Sequence, residues 1–199
     1  MAVIQISEFG LYTMERSRRP TPVEIRAAAG KTVRDVIAPD LEVLFCGINP
    51  GLYSAAVQHH FARPGNRFWP ALHQGGFTDR LLSPFEESEL VEYGCGITNI
   101  ARRATAGAEE LSEAELTRGA LRLERKALQY RPRLVAILGV GAYRSAFHRS
   151  QALLGRQHER VGNSTLWILP NPSGLNAHYP LKDLARLFRQ LRLAATKRS

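Results

Sequence analysis

Apolar positions along this chain follow two periods, and the changes of period mark its elements. Glu42 to Ile48, Cys95 to Ile100, Leu134 to Leu138 and Thr165 to Leu169 are short, nearly continuous apolar runs closed by turn residues. Runs of that length read as buried strands. Between them the spacing becomes helical. Ser112 and Glu115 form a capping-box pair, followed by Leu116, Ala120, Leu123, Ala127 and Tyr130 on one helix face, with Pro132 as the stop. Ser83-Pro84-Phe85-Glu86 starts a helix to about Tyr93, and Asn66 caps one carrying Phe68, Trp69, Leu72 and His73 to Gly75-Gly76. Gly139-Val140-Gly141 leads into a helix through Phe147, and a last helix from about Pro180 shows Leu181, Leu184, Ala185, Phe188 and Leu191. A short helix is expected over 32–37, a loop over 50–65, and a loop with at most one edge strand over 151–163. Strands alternating with helices predict an α/β fold, a three-layer α/β/α sandwich around a mostly parallel central sheet.

Composition bounds the possibilities. With 44% hydrophobic and 23% charged residues in 199, the chain has the make-up of one ordinary globular domain. No apolar run reaches membrane-spanning length and no signal peptide is legible, so the cytoplasm is the default expectation. Cys46 and Cys95 are the only cysteines, too few for a four-cysteine metal site, and Cys46 inside a core strand reads as an inert buried thiol. The net charge of +9 is mostly terminal: residues 1–34 hold six basic and three acidic groups, and 182–199 hold six and one, leaving a net of +1 between. Basic arms raise affinity for polyanions without saying what a domain does. The expected layout is a flexible basic extension over 1–34, one folded domain over 35–192 and a basic tail over 193–199.

The candidate chemistry lies where strands end. Asn49-Pro50-Gly51 stops the first strand, because Pro50 cannot continue a ladder, and it holds an amide at the carboxyl edge where open α/β sheets bind ligands. Asn171-Pro172-Ser173-Gly174-Leu175 closes the last strand in the same way. Gly51 leaves room for a flat ligand, Phe61 offers a stacking face, and Arg63 and Arg67 suit phosphates. The Gly139/Gly141 turn lacks the remaining residues of a dinucleotide or P-loop motif and reads as a tight structural turn. His59-His60 reads as loop surface.

Four motifs together carry a resemblance: Gly47-Ile-Asn-Pro-Gly-Leu52, Phe61-Ala-x-Pro-Gly-Asn-Arg-Phe-Trp69, Gly96-Ile-Thr-Asn-Ile100 and Asn171-Pro-Ser-Gly-Leu175. In this order and spacing, over roughly 35–192, they closely resemble the mismatch-specific uracil-DNA glycosylases, the branch of the uracil-DNA glycosylase superfamily shared with thymine-DNA glycosylase. The resemblance implies hydrolysis of the N-glycosidic bond of uracil flipped from a G·U mismatch in double-stranded DNA. Thymine or etheno-cytosine would be related substrates and an abasic site the product. Asn49 matches the residue that positions the water and Phe61 the aromatic that stacks on the base. Ile48, Gly51, Tyr53, Ser54 and Asn99 would complete the pocket, although relatives more often have a small residue where Tyr53 stands. Leu175 matches the wedge that fills the vacated space, with Asn171, Pro172, Ser173, Gly174 and Asn176 around it and facing the widowed guanine. Asp79, the one aspartate between the two turns, is a candidate carboxylate assisting the water. The chain is expected to act as a monomer with no metal and no cofactor. Two other readings remain: a mismatch-binding module with weak or absent catalysis, and a nucleotide-cofactor enzyme built on the Gly139 turn.

Overall fold

The computed structural model describes residues 19–196. Five strands form one sheet: β1 (Val43–Gly47), β2 (Cys95–Asn99), β3 (Leu134–Leu138), β4 (Gly155–Val161) and β5 (Ser164–Leu169), in the order β2-β1-β3-β5-β4. All neighbours are parallel except β4, which runs antiparallel to β5 at the edge. The helices are α1 (Pro22–Arg26), α2 (Leu52–Val57), α3 (Phe68–Gln74), α4 (Glu113–Tyr130), α5 (Val140–Phe147) and α6 (Leu181–Thr196). Strand alternation divides the core in two. Val43, Phe45, Ala136 and Leu138 face α3 and α6, while Leu44, Cys46, Val135 and Ile137 face α4 and α5. Phe45 anchors the first face, edge-on to Phe68 and Phe77 and stacked at 5.7 Å on Phe188. The three-layer sandwich expected from the apolar pattern is present.

The connection after β1 runs over one face of the sheet and the connection after β3 over the other. That divergence opens a crevice at the carboxyl ends of the two strands. Gly139, at φ 139, forms the turn from β3 into α5, and a Cβ there would lie 3.1 Å from Ile48 Cδ1. The glycine turn therefore serves close packing against the first turn.

Several local expectations are corrected. Residues 32–37 form no helix: Val36 pairs antiparallel with Ile97, exchanging hydrogen bonds of 2.9 and 2.7 Å. The outer edge of β2 needs backbone partners, and that demand overrides the local helix signal. The stretch 50–65 is not all loop, because it contains α2, which ends at Gln58 in the left-handed region. Residues 84–93 form 3-10 turns kinked at Glu86 in place of a regular helix, with the Ser83/Glu86 capping box intact. In the extension, residues 1–18 lie outside those described. From Thr21 the chain is ordered: α1 has a complete capping box with Glu24, and Ala28 and Val33 are buried against Ala55 and Ala104. At the other end α6 continues to Thr196, into the stretch expected to be tail, and 197–199 lie outside the described residues.

Candidate active site

A cleft of about 460 Å³ opens at the carboxyl edge of the sheet. Its floor comes from Gly47, Ile48, Asn49 and Pro50 after β1, with Asn99 from β2 and Leu138 from β3, and Asn171 beyond β5 on one side. Gly51, Ser54, Phe61, Arg63 and Asn66 form another wall, and Thr105 to Glu109 a third. Ser173, Leu175 and Asn176 stand at its rim. The two asparagine turns, 122 residues apart in the numbering, thus meet in one place.

The Asn49 amide is oriented by its surroundings. Its Nδ2 donates to the carbonyl oxygens of Pro50 at 3.0 Å and Arg103 at 3.2 Å, and to Thr105 Oγ1 at 2.7 Å. Carbonyls only accept, so the NH2 must face them and the amide cannot be reversed. The buried Thr105 hydroxyl donates in turn to Gly107 O at 2.7 Å, which makes its oxygen the acceptor for Asn49. With both amide hydrogens engaged, Oδ1 is left as a hydrogen-bond acceptor in the cleft.

The wall around Phe61 is fixed by a second network. Phe61 sits at φ 53 and stacks on Phe68 with ring centroids 4.2 Å apart. Ser54 Oγ accepts from Ala62 N–H at 3.1 Å, and Trp69 Nε1 donates to His60 O at 3.2 Å. The half-buried His59 ring contacts Glu87 Oε1 at 3.0 Å, and the other oxygen of that carboxylate accepts from His60 N–H at 2.7 Å. A Cβ on Gly51 would meet nothing within 4 Å, so the floor beside the Asn49 turn is open.

The rim loop is held from beneath. Arg67 donates through Nη1 to Tyr179 O at 2.7 Å and through Nη2 to Asn176 O at 2.7 Å and to Ser173 O. Its backbone N–H donates to Pro172 O at 2.9 Å, and a Cβ on Gly174 would lie 2.6 Å from Gly65 O. Asn171 Oδ1 accepts from Ser173 N–H at 3.0 Å, and Asn176 Nδ2 donates to Asn171 O at 2.9 Å. The loop therefore projects Leu175 with 75% of its surface in solvent.

Four readings of the sequence change here. Arg67 is no phosphate contact, because its guanidinium is engaged by backbone carbonyls, whereas Arg63 is exposed at the rim of the cleft. Asp79 is not in the cleft. It accepts from Tyr93 O–H at 2.5 Å, a bond that holds its carboxyl below the usual range, and Tyr93 precedes the amino end of β2. Asn99 lies at the other end of that strand, about 13 Å away at roughly 3.3 Å per residue. Among the described residues, the carboxylate that lines the cleft is Glu109. Tyr53 lies on α2 outside the cleft lining, and His60 is buried at 2% exposure where loop surface was expected. Thr105, His60 and Glu87 carry no recognisable motif. The Arg103 side chain donates from Nε to Glu115 Oε1 at 2.5 Å, which holds the Glu115 pKa down to about 2. Burial pushes both thiols up, Cys95 to about 12, as inert core cysteines require. Among the described residues no group of three or more His, Cys, Asp or Glu is arranged to hold a metal ion, and no helix is long and apolar enough to cross a membrane.

The family model of the uracil DNA glycosylase superfamily matches residues 34–192. This chain belongs to the uracil DNA glycosylase superfamily. The fold is also similar to a solution NMR structure from Methanosarcina acetivorans described as a "putative Uracil DNA glycosylase". That likeness has a TM-score of 0.53 at 17% identity and covers 82% of this chain and 98% of that one. Membership supports the role of a DNA glycosylase, a hydrolase acting on DNA in repair.

Proposed function

We propose that this superfamily member is a monofunctional, mismatch-specific glycosylase of the thymine-DNA glycosylase branch. It releases uracil, and related bases such as thymine or etheno-cytosine, from positions opposite guanine in double-stranded DNA. One observation carries the reading: the oriented amide of Asn49, the stacking face of Phe61 and the exposed Leu175 share a single cleft. An apolar side chain on a polar rim suits a wedge that occupies the gap left by an extruded nucleotide, and extrusion costs least at a mismatch. The base would stack on Phe61, with Asn99 at its edge.

The chemistry follows from the groups present. The C1′–N1 bond breaks with its electron pair leaving on the base, and a cationic sugar develops. Asn49 Oδ1 accepts a hydrogen bond from a water and aims its oxygen at C1′. An amide cannot take the proton, so the water attacks an already electrophilic carbon, and as the new C–O bond forms its proton passes through solvent to the departing base anion. Glu109 adds negative charge on the side of the cleft where the sugar becomes positive. Among the described residues no lysine lines the cleft, so Schiff-base formation with the abasic sugar has no nucleophile there and the product is the intact abasic site.

Incubating the protein with a labelled G·U duplex and then with alkali tests this. Cleavage at the uracil, lost in Asn49→Ala with duplex binding retained, is the expected result. Binding of the mismatch without cleavage by the wild type would leave a binding module in its place.

A further inference from the structure

Three arginines gather beside the cleft. The chain leaving β2 is tied to the Asn49 turn: Ile100 N–H donates to Gly47 O at 2.9 Å, Ala101 N–H to Ile48 O at 2.8 Å, and Arg103 O accepts from Asn49 Nδ2. Arg102, between them, is exposed. The amino-terminal half of α4 packs on the same stretch. A Cβ on Gly119 would lie 2.6 Å from Ile100 Cγ2, so the helix approaches this closely because a glycine stands there. Arg118 and Arg122, four residues apart, share the helix face beside that glycine, and the half-buried Arg122 donates from Nη2 to Ile100 O at 3.2 Å. Burial, and then the charges of Arg102 and Arg118, hold the Arg122 pKa below its ordinary value, yet a guanidinium stays protonated at neutral pH. Among the described residues no carboxylate forms an ion pair with any of the three. The flanking acids are engaged elsewhere: Glu115, three residues before Arg118, holds Arg103, and Asp35 holds Lys126, four residues after Arg122.

We propose that Arg102, Arg118 and Arg122 form a phosphate-binding surface that grips the sugar-phosphate backbone of the duplex on the side of the cleft away from Leu175. The inference rests on the reading above that duplex DNA is the partner. Like charges held together without compensation are destabilising, and residues 35–181 carry a net charge of only +1, so the cluster is a local concentration on a nearly neutral domain. A phosphodiester chain fits such a surface, because its anionic oxygens match guanidinium forks and its docking releases counterions. The position suits the same partner. In the sheet order β2 and β5 flank the β1–β3 pair where the cleft opens, so the arginines and the Leu175 loop stand on opposite sides. The strand ends that carry them are three spacings, about 14 Å, apart. That is about four nucleotides of one strand at 3.4 Å each. The wedge loop and the arginines would thus hold the backbone on both sides of the point where the base leaves the stack. Because Ile100, Ala101 and Arg103 are bonded to the Asn49 turn, a phosphate held at Arg102 is fixed relative to Asn49 Oδ1.

The test measures the affinity of the full-length protein for an undamaged duplex between about 50 and about 200 mM salt, so that it does not depend on turnover. The variants are Arg102→Gln, Arg118→Gln and the double substitution; among the described residues neither side chain makes a hydrogen bond or ion pair whose loss would unfold the protein. The slope of log affinity against log salt should shrink by about 0.9 in each single variant and about 1.8 in the double, which then loses about twelvefold less affinity than wild type over this range. With repulsion relieved, the double variant should melt at or above the wild-type temperature. A control with the same change of charge at the amino ends of the strands, Arg131→Gln/Arg160→Gln, should keep the wild-type slope. An unchanged slope in the double variant, an equal reduction in the control, or a markedly lower melting temperature in the double variant would each overturn the assignment. A wild type that shows the expected slopes but releases no uracil from a G·U duplex ends the proposed activity and leaves the arginine surface standing. Absence of duplex binding by the wild type ends both.

Discussion

The Asn49 and Asn171 turns begin with the same two residues and end parallel strands of one sheet, yet they use their amides in opposite ways. Asn49 turns its nitrogen into the protein, onto Pro50 O, Arg103 O and Thr105 Oγ1, and keeps its oxygen for the cleft. Asn171 turns its oxygen onto its own loop, at Ser173 N–H. The first turn is an inward-braced wall. The second is a self-folded loop fastened from below by Arg67. Local chemistry makes the turn, and the acceptors around it decide whether the asparagine is available for a reaction.

The largest expected effect comes from removing the inward-braced amide. Asn49→Ala should lower single-turnover uracil release by about 10²–10³-fold, the range seen for deletion of one positioned hydrogen-bonding group in an active site. A loss below about fivefold would make Asn49 a turn residue like its counterpart. The pair Asn49→Asp and Asn171→Asp isolates the difference itself. Aspartate at 49 has no donor for two carbonyls and should cost stability by about 1–3 kcal/mol as well as activity, whereas aspartate at 171 still accepts from Ser173 and should melt close to wild type. Equal denaturant midpoints for the two would refute the assigned amide orientations.

Arg67→Ala should separate fastening from phosphate binding. Loss of bonds to Tyr179, Ser173 and Asn176 leaves several carbonyls without their donor, and destabilisation of about 2 kcal/mol is expected. The salt dependence of DNA affinity should keep its slope, because no phosphate contact is lost. A slope reduced by about one ion would restore Arg67 to the DNA backbone. The smallest effect expected is with acid. Glu115 has its pKa lowered in the fold, so its contribution is present above the unfolded value near 4.5 and disappears as pH falls toward about 2. Melting temperatures of wild type and Glu115→Gln should therefore converge as pH is lowered through that window. Constant separation would mean that the bridge to Arg103, whose carbonyl braces Asn49, adds nothing.

By itself the sequence determined the layers and the location of the chemistry. Continuous apolar runs such as Leu134–Leu138 fit only strands buried on both faces, and the 3.6-residue stripe of 113–130 fits only a helix with one buried face. Pro50 and Pro170 marked where strands stop, so the candidate residues around both turns were legible, and the cleft gathers most of them. Tertiary structure decided what depends on contacts between distant segments. Val36 became extended because the edge of β2 lacked partners, and residues 21–34 were drawn onto the domain by burial of Ala28 and Val33. Arg67 could be read as a phosphate ligand until carbonyls more than a hundred residues away surrounded its guanidinium, and Asp79 was near the site only in numbering. A hydrogen bond needs a donor and an acceptor about 3 Å apart in space, and separation along the chain does not encode that distance. The polarity of Asn49, on which the proposed chemistry rests, therefore emerged only when Arg103 and Thr105 came into place around it.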